Sequence, residues 1–128
     1  MSLRRRYAWA VSTAAGKQDI DVEPSRVADL LERDPSAQVI DVREPAEHEA
    51  GHIAGTRHIA LTVLSEQAAT LDPARPVIFY CRVGGRSTMA AQALRAAGAE
   101  AYSMSGGMVR WTQEGRPLSP EGGYVADH

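Results

Sequence analysis

VIFYCRVGGRSTMAAQALRAAG, residues 77–98, decides how the whole chain is read. Val77 to Tyr80 form an apolar run short enough for a strand buried on both faces. The chain's single cysteine, Cys81, follows at once, and a loop of two arginines and two glycines comes next. The pattern then turns helical. Ala90, Ala93, Leu94 and Ala97 are expected to share one apolar face, with Thr88, Ala91, Gln92 and Arg95 on another. Ser87 is expected to cap the start of this helix, and Gly98 to end it where a left-handed residue is wanted. Strand, tight loop and helix make one unit of an α/β domain. The lone thiol lies at the strand's carboxyl end, where such sheets bind ligands.

Working outward, the same alternation continues. QDIDV is a brief extended stretch, and Glu23-Pro24 opens a helix with Val27, Leu30 and Leu31 as its buried stripe. QVIDV reads as a buried β-branched strand, and EPAEHEAG as a short helical turn closed by Gly51. A further strand is expected near Arg57–Ala60. Thr62 is expected to cap a helix running to about Leu71. AEAYSM is the last strand, and GGMVRWTQEG a short helix stopped by Gly115 and Pro117, with Trp111 as a core anchor. The predicted class is α/β with a mostly parallel sheet. Residues 19–120 are expected to form the domain, with tails at 1–18 and 121–128. LRRRYAWAVSTAAG places basic residues before a short apolar segment. Ser12 and Thr13 break that segment, so a tail is expected rather than an export signal. His128 and the Arg4–Arg6 run are expected to be solvated.

Bulk properties narrow the function. With 128 residues, one ordinary domain needs no disulfide or metal staple. One cysteine allows no internal disulfide and fits a reducing, cytoplasmic setting. A net charge of -2 and 5% aromatics argue against a nucleic-acid partner. No apolar run approaches the ~20 residues that a membrane span needs.

The loop CRVGGRS favours an anion at its centre. Gly84 and Gly85 can adopt backbone conformations closed to other residues, so successive N–H groups can turn inward as a nest. The following helix adds its free N–H groups and positive dipole end, and Arg82 and Arg86 add full charges. A cysteine there is expected to serve as a thiolate nucleophile, where a bland reading would make it a small buried hydrophobe.

Three motifs in order then resemble the rhodanese-type sulfurtransferase family across about residues 19–120. VIDVREPAEHEAGHIAGTRHI resembles its first signature, an Asp-x-Arg pair before a Gly-His-Ile-x-Gly turn. VIFYCRVGGRS resembles its active-site strand and loop, and SGGMVRWTQEGRP its C-terminal signature. The resemblance implies a three-layer domain with a central, mainly parallel five-stranded sheet and helices on both faces. It also implies sulfane-sulfur transfer from a donor such as thiosulfate, through a Cys81 persulfide, to cyanide, a small thiol or a protein thiol. The N–H groups from Arg82 through Val83, Gly84, Gly85 and Arg86 to Ser87 would hold the persulfide. Arg82 and Arg86 would attract the anionic donor, or Arg86 would shape the loop. No cofactor and no metal are implied.

Three residues depart from the pattern. Val83 stands where a small polar residue is common, His48 where an aromatic often follows the Glu, and Ala60 where a Pro commonly follows the strand. Asp41 is expected to fix neighbouring loops through an ion pair, and Arg43 either to join it or to reach the pocket. His48, His52 and His58 cluster without the spacing of a familiar metal site. Two competing readings stand beside the enzyme. One is a non-catalytic regulatory or protein-binding module of the same fold, usually marked by loss of the loop cysteine. The other is a Cys-dependent phosphatase or arsenate reductase, whose loop places five residues between Cys and Arg. Here four residues separate Cys81 from Arg86, a loop better sized for one sulfur than for a tetrahedral PO₄.

Overall fold

The computed structural model describes residues 20–127. The chain runs β1 (Asp21–Val22), α1 (Pro24–Arg33), β2 (Gln38–Asp41), α2 (Pro45–Ala50) and β3 (Arg57–His58). Two 3-10 turns, Leu61–Val63 and Ala68–Thr70, flank the short α3 (Leu64–Gln67). Then come β4 (Val77–Tyr80), α4 (Gly85–Ala96), β5 (Ala101–Met104) and α5 (Gly107–Gln113). The strands form one five-stranded sheet in the order β1-β5-β4-β2-β3, and every described pairing is parallel. The domain is α/β, as the alternating pattern predicts.

Strand periodicity sorts the core into two layers. Ile78 and Tyr80 point to one side, where Val27 and Leu30 of α1 and Met108 and Trp111 of α5 cover them. Val77, Phe79 and Cys81 point to the other, where Ala90 and Ala91 of α4 and Leu64 of α3 cover them. The thiol therefore emerges on the α4 side, at the carboxyl edge of the sheet. Asp41 ends the neighbouring strand in register with Tyr80, which brings both predicted strand ends side by side.

α1 starts at Pro24 behind Glu23, with Val27 and Leu30 buried. Gly98, at φ +96°, closes α4. Its N–H donates to the Arg95 carbonyl at 3.0 Å, and that of Ala99 to Leu94 at 2.9 Å, the two bonds of a left-handed helix stop.

Three local expectations need correction. Gly84, not Ser87, caps α4. Helix geometry is already reached at Gly85, so Ser87 sits in the first turn with its side chain turned into the core. The buried face of α4 is Ser87, Ala90 and Ala91 with Leu94 partly covered, while Ala93 and Ala97 are exposed. The helix starts three residues earlier than a Ser87 cap implies, and helical spacing puts Ser87 on the sheet-facing stripe that Ala90, Ala91 and Leu94 continue. Thr62 lies inside a 3-10 turn and caps nothing. The segment to Leu71 is two such turns around a four-residue helix.

The expected N-terminal tail at 1–18 and His128 fall outside the described residues. Of the expected C-terminal tail, Gly123 and Tyr124 pass against the end of α2. The Tyr124 N–H donates to the Ala50 carbonyl at 2.9 Å. No helix among the described residues is long and apolar enough to cross a membrane.

Candidate active site

Cys81 is 1% exposed, at the floor of the β4–α4 loop. Gly84, at φ +120°, reverses the chain so that its own N–H donates to Cys81 Sγ at 3.1 Å. The Ser87 N–H reaches the same sulfur at 3.4 Å, and Ser87 Oγ lies 3.4 Å away. Donors thus converge on sulfur from the loop and from the first turn of α4, an arrangement that favours negative charge there. Val83 stands at the loop's surface, 58% exposed.

The loop's carbonyls point the other way. Cys81 O accepts from the Met108 N–H at 2.9 Å, and Arg82 O from Val109 at 3.0 Å. The free N–H groups at the start of α5 are therefore spent on holding the loop's outer side. This contact needs Gly107. A Cβ there would lie 2.5 Å from Arg82 O and 2.6 Å from Cys81 O.

Each loop arginine has a carboxylate. Arg86 forms a two-pronged pair with Glu47, at 2.8 and 2.9 Å. Glu47 is buried in α2, and its Oε1 also accepts the Glu44 N–H at 2.9 Å. Burial pushes the Glu47 carboxyl up. The hydrogen bonds from Arg86 and from the Glu44 backbone outweigh that and leave it below the usual carboxylate range. The same pairing raises Arg86. Arg86 thus bolts the loop to α2. Arg82 donates to Asp127 at 2.9 Å across a largely exposed pair.

Asp41 and Arg43 are both fully buried and meet as a pair. Arg43 Nε lies 2.9 Å from Oδ1 and Nη2 lies 2.7 Å from Oδ2. Arg43 Nη2 also donates to the Gly51 carbonyl at 2.8 Å. Arg43 is thereby turned toward Asp41 and the end of α2. His48 Nδ1 donates to Asp41 Oδ2 at 2.9 Å. His52 and His58 stack on the His48 ring, with centroids 3.9 and 4.7 Å away. Burial lowers His48, and the nearby His52 and His58 add to that, outweighing the pull of Asp41. No group of three or more ligands that could hold a metal occurs among the described residues.

The structure therefore brings Cys81, Arg82, Val83, Gly84, Gly85, Arg86 and Ser87 into one loop and helix start, and sets Asp41 and Arg43 beside it as a buried pair. Two participants escape sequence reasoning. Glu47 reads as one acid among several in EPAEHEA; its place three residues after Glu44 is the capping signal that marks it. Ser103 is a buried serine in β5, and its Oγ lies 2.7 Å from Ser87 Oγ.

Comparison with known proteins bears on the family and the fold. A model of the rhodanese-like domain matches residues 23–114. "Uncharacterized protein YqhL" of Bacillus subtilis is 46% identical over 76 residues, 59% of this chain and 60% of that protein. The chain thus spans less than two thirds of YqhL's length. "Thiosulfate sulfurtransferase GlpE" of Pseudomonas aeruginosa is 34% identical over 91 residues, covering 70% of this chain and 81% of GlpE. Among solved structures, a rhodanese-related protein from Thermoplasma volcanium superposes with a TM-score of 0.69 at 32% identity, covering 79% of this chain and 98% of that one.

Proposed function

The chain belongs to the rhodanese-like domain family, and from that premise we propose that it is a sulfurtransferase working through a persulfide on Cys81. The observation that carries this reading is the convergence of the Gly84 and Ser87 N–H groups on Cys81 Sγ. The Cys81 thiolate attacks the outer sulfur of thiosulfate. The S–S bond of the donor breaks, sulfite leaves with its electron pair, and Cys81–S–S⁻ remains. The inward-turned N–H groups of the loop then stabilise the persulfide anion. An acceptor nucleophile, cyanide or a thiol, attacks the outer sulfur and returns the thiolate.

Arg86, committed to Glu47, acts on loop shape. Among the described residues Arg82 pairs with the exposed Asp127 alone, so it is the loop cation open to exchange for an anionic donor. Val83 gives the mouth of the loop an apolar edge that suits a thiol acceptor with hydrocarbon beside its sulfur. The cycle needs Cys81 free between turnovers, a state that a reducing cytoplasm maintains.

Intact-mass measurement after incubation with thiosulfate tests the proposal. One added sulfur, about 32 Da, is expected on the wild type, with thiocyanate formed when cyanide follows. Cys81→Ser should show neither signal while melting as a folded protein. A wild type that gains no sulfur and makes no thiocyanate overturns the proposal.

A further inference from the structure

A hydroxyl in the middle of a buried strand needs a reason. Ser103 lies in β5, paired on one side with Phe79 and on the other with Asp21, and is 1% exposed. Among the described residues its Oγ has two partners, both on α4: Ser87 Oγ at 2.7 Å and Thr88 Oγ1 at 3.4 Å. Ser87, itself fully buried, also donates to the Gly84 carbonyl at 3.2 Å and stands 3.4 Å from Cys81 Sγ. The three hydroxyls form a line that ends on the sulfur.

The direction of that line follows from counting hydrogens. Thr88 donates to Ser103. Ser103 then has one hydrogen of its own, and Ser87 Oγ is the acceptor at the shorter distance. If Ser87 donated to Ser103 instead, Ser103 would accept two hydrogens and keep one of its own without an acceptor, and Ser87 would have none for the Gly84 carbonyl or the sulfur. With Ser103 donating, the Ser87 hydrogen is free to choose between two acceptors, the Gly84 carbonyl and the sulfur. The Gly84 carbonyl keeps the Thr88 N–H at 3.0 Å whichever way Ser87 turns.

We propose that Ser103 is a positioning residue for the reaction at Cys81: it holds the Ser87 hydroxyl so that its hydrogen turns from the Gly84 carbonyl to an anionic sulfur. No proton is transferred; one O–H rotates. Donation from Ser103 also polarises the Ser87 O–H and makes it a stronger donor. The inference rests on the persulfide reading of Cys81. It adds a residue from β5, an element that supplies no part of the loop, and it acts on the anionic states rather than on donor binding.

Single-turnover release of sulfite at saturating thiosulfate tests it. Ser103→Ala should slow persulfide formation by about threefold to tenfold, the worth of one neutral hydrogen bond, while the thiosulfate KM stays within about twofold. Ser87→Ala should slow it at least as much. The double variant should be no slower than Ser87→Ala alone, because Ser103 acts only through Ser87. Melting curves check that each variant is folded. A Ser103→Ala rate equal to wild type overturns the inference, and so does a double variant whose loss is the product of the two single losses. A wild type that forms no persulfide overturns the persulfide reading and this inference with it. A wild type that forms one, with Ser103→Ala unaffected, overturns this inference alone.

Discussion

Gly107 shows how a single missing side chain holds the loop. It sits at φ +58°, and a Cβ would press on the backbone carbonyls of Cys81 and Arg82, which accept from the first N–H groups of α5. Neither carbonyl can move without pulling Cys81 and Arg82 with it. Gly107→Ala should therefore cost about 2–4 kcal/mol, from left-handed strain plus overpacking. Gly115 is the control. It also has a left-handed φ, +76°, but nothing lies within 4 Å of a Cβ there. Gly115→Ala should cost about 1–2 kcal/mol, the conformational penalty alone. Urea unfolding of both variants measures the difference, and equal losses would show that the carbonyl contact is not what requires glycine. In sequence, Gly106-Gly107 reads only as a glycine pair before a short helix. The sequence could not show the carbonyls that make the second glycine necessary, because they belong to a loop 25 residues away. The same holds for Glu47 and Arg86, whose pairing joins two elements across 39 residues.

Elements were more legible than their faces. Pro24, Gly98, Gly115 and the apolar runs mark starts, stops and strands through local chemistry alone, and each marked element exists. The orientation of α4 is different. Its residues are mostly small, so alanine at 91 and at 93 look alike in sequence, and only the sheet decides which is covered. Ala91 and Ala93 trade the covered and exposed places that the sequence pattern assigns them. The two positions should respond oppositely to bulk. Ala91→Leu places three extra carbons against the sheet, where Phe79 of β4 and Ala101 of β5 already pack, and should cost about 1–3 kcal/mol. Ala93→Leu points to solvent and should stay within about 0.5 kcal/mol of wild type. Thermal or chemical denaturation of the pair reads the helix's orientation, and the reverse ranking would mean that α4 is rotated.

At the scale of the molecule, α2 ties the two strand ends together. Glu47 reaches the β4–α4 loop through Arg86, and His48, next to it, reaches Asp41 at the end of β2. Two titrating groups on adjacent positions therefore hold the edge where the thiol sits, and both have folded-state values below their ordinary ones. For His48 the cause is burial first, then the imidazoles of His52 and His58; Asp41 opposes and loses. For Glu47, burial opposes, and Arg86 with the Glu44 N–H prevails. A lowered histidine binds fewer protons folded than unfolded. Its contribution to stability is thus complete above the unfolded value, about 6.5, and is lost as pH falls through the lower folded value. The lowered carboxylate behaves likewise in a more acid window, beginning near its unfolded value of about 4.3. Stability should accordingly fall in two stages on acidification. The melting temperature of wild type should begin to drop below about pH 6.5, and drop again below about pH 4.3. His48→Gln keeps a donor for Asp41 but cannot titrate, so its curve should lose the first stage and keep the second. Because the readout is the slope against pH, a lower starting stability in the variant does not obscure it. An unchanged slope between pH 7 and 5 in His48→Gln would assign the first stage to other groups and separate α2 from the acid response.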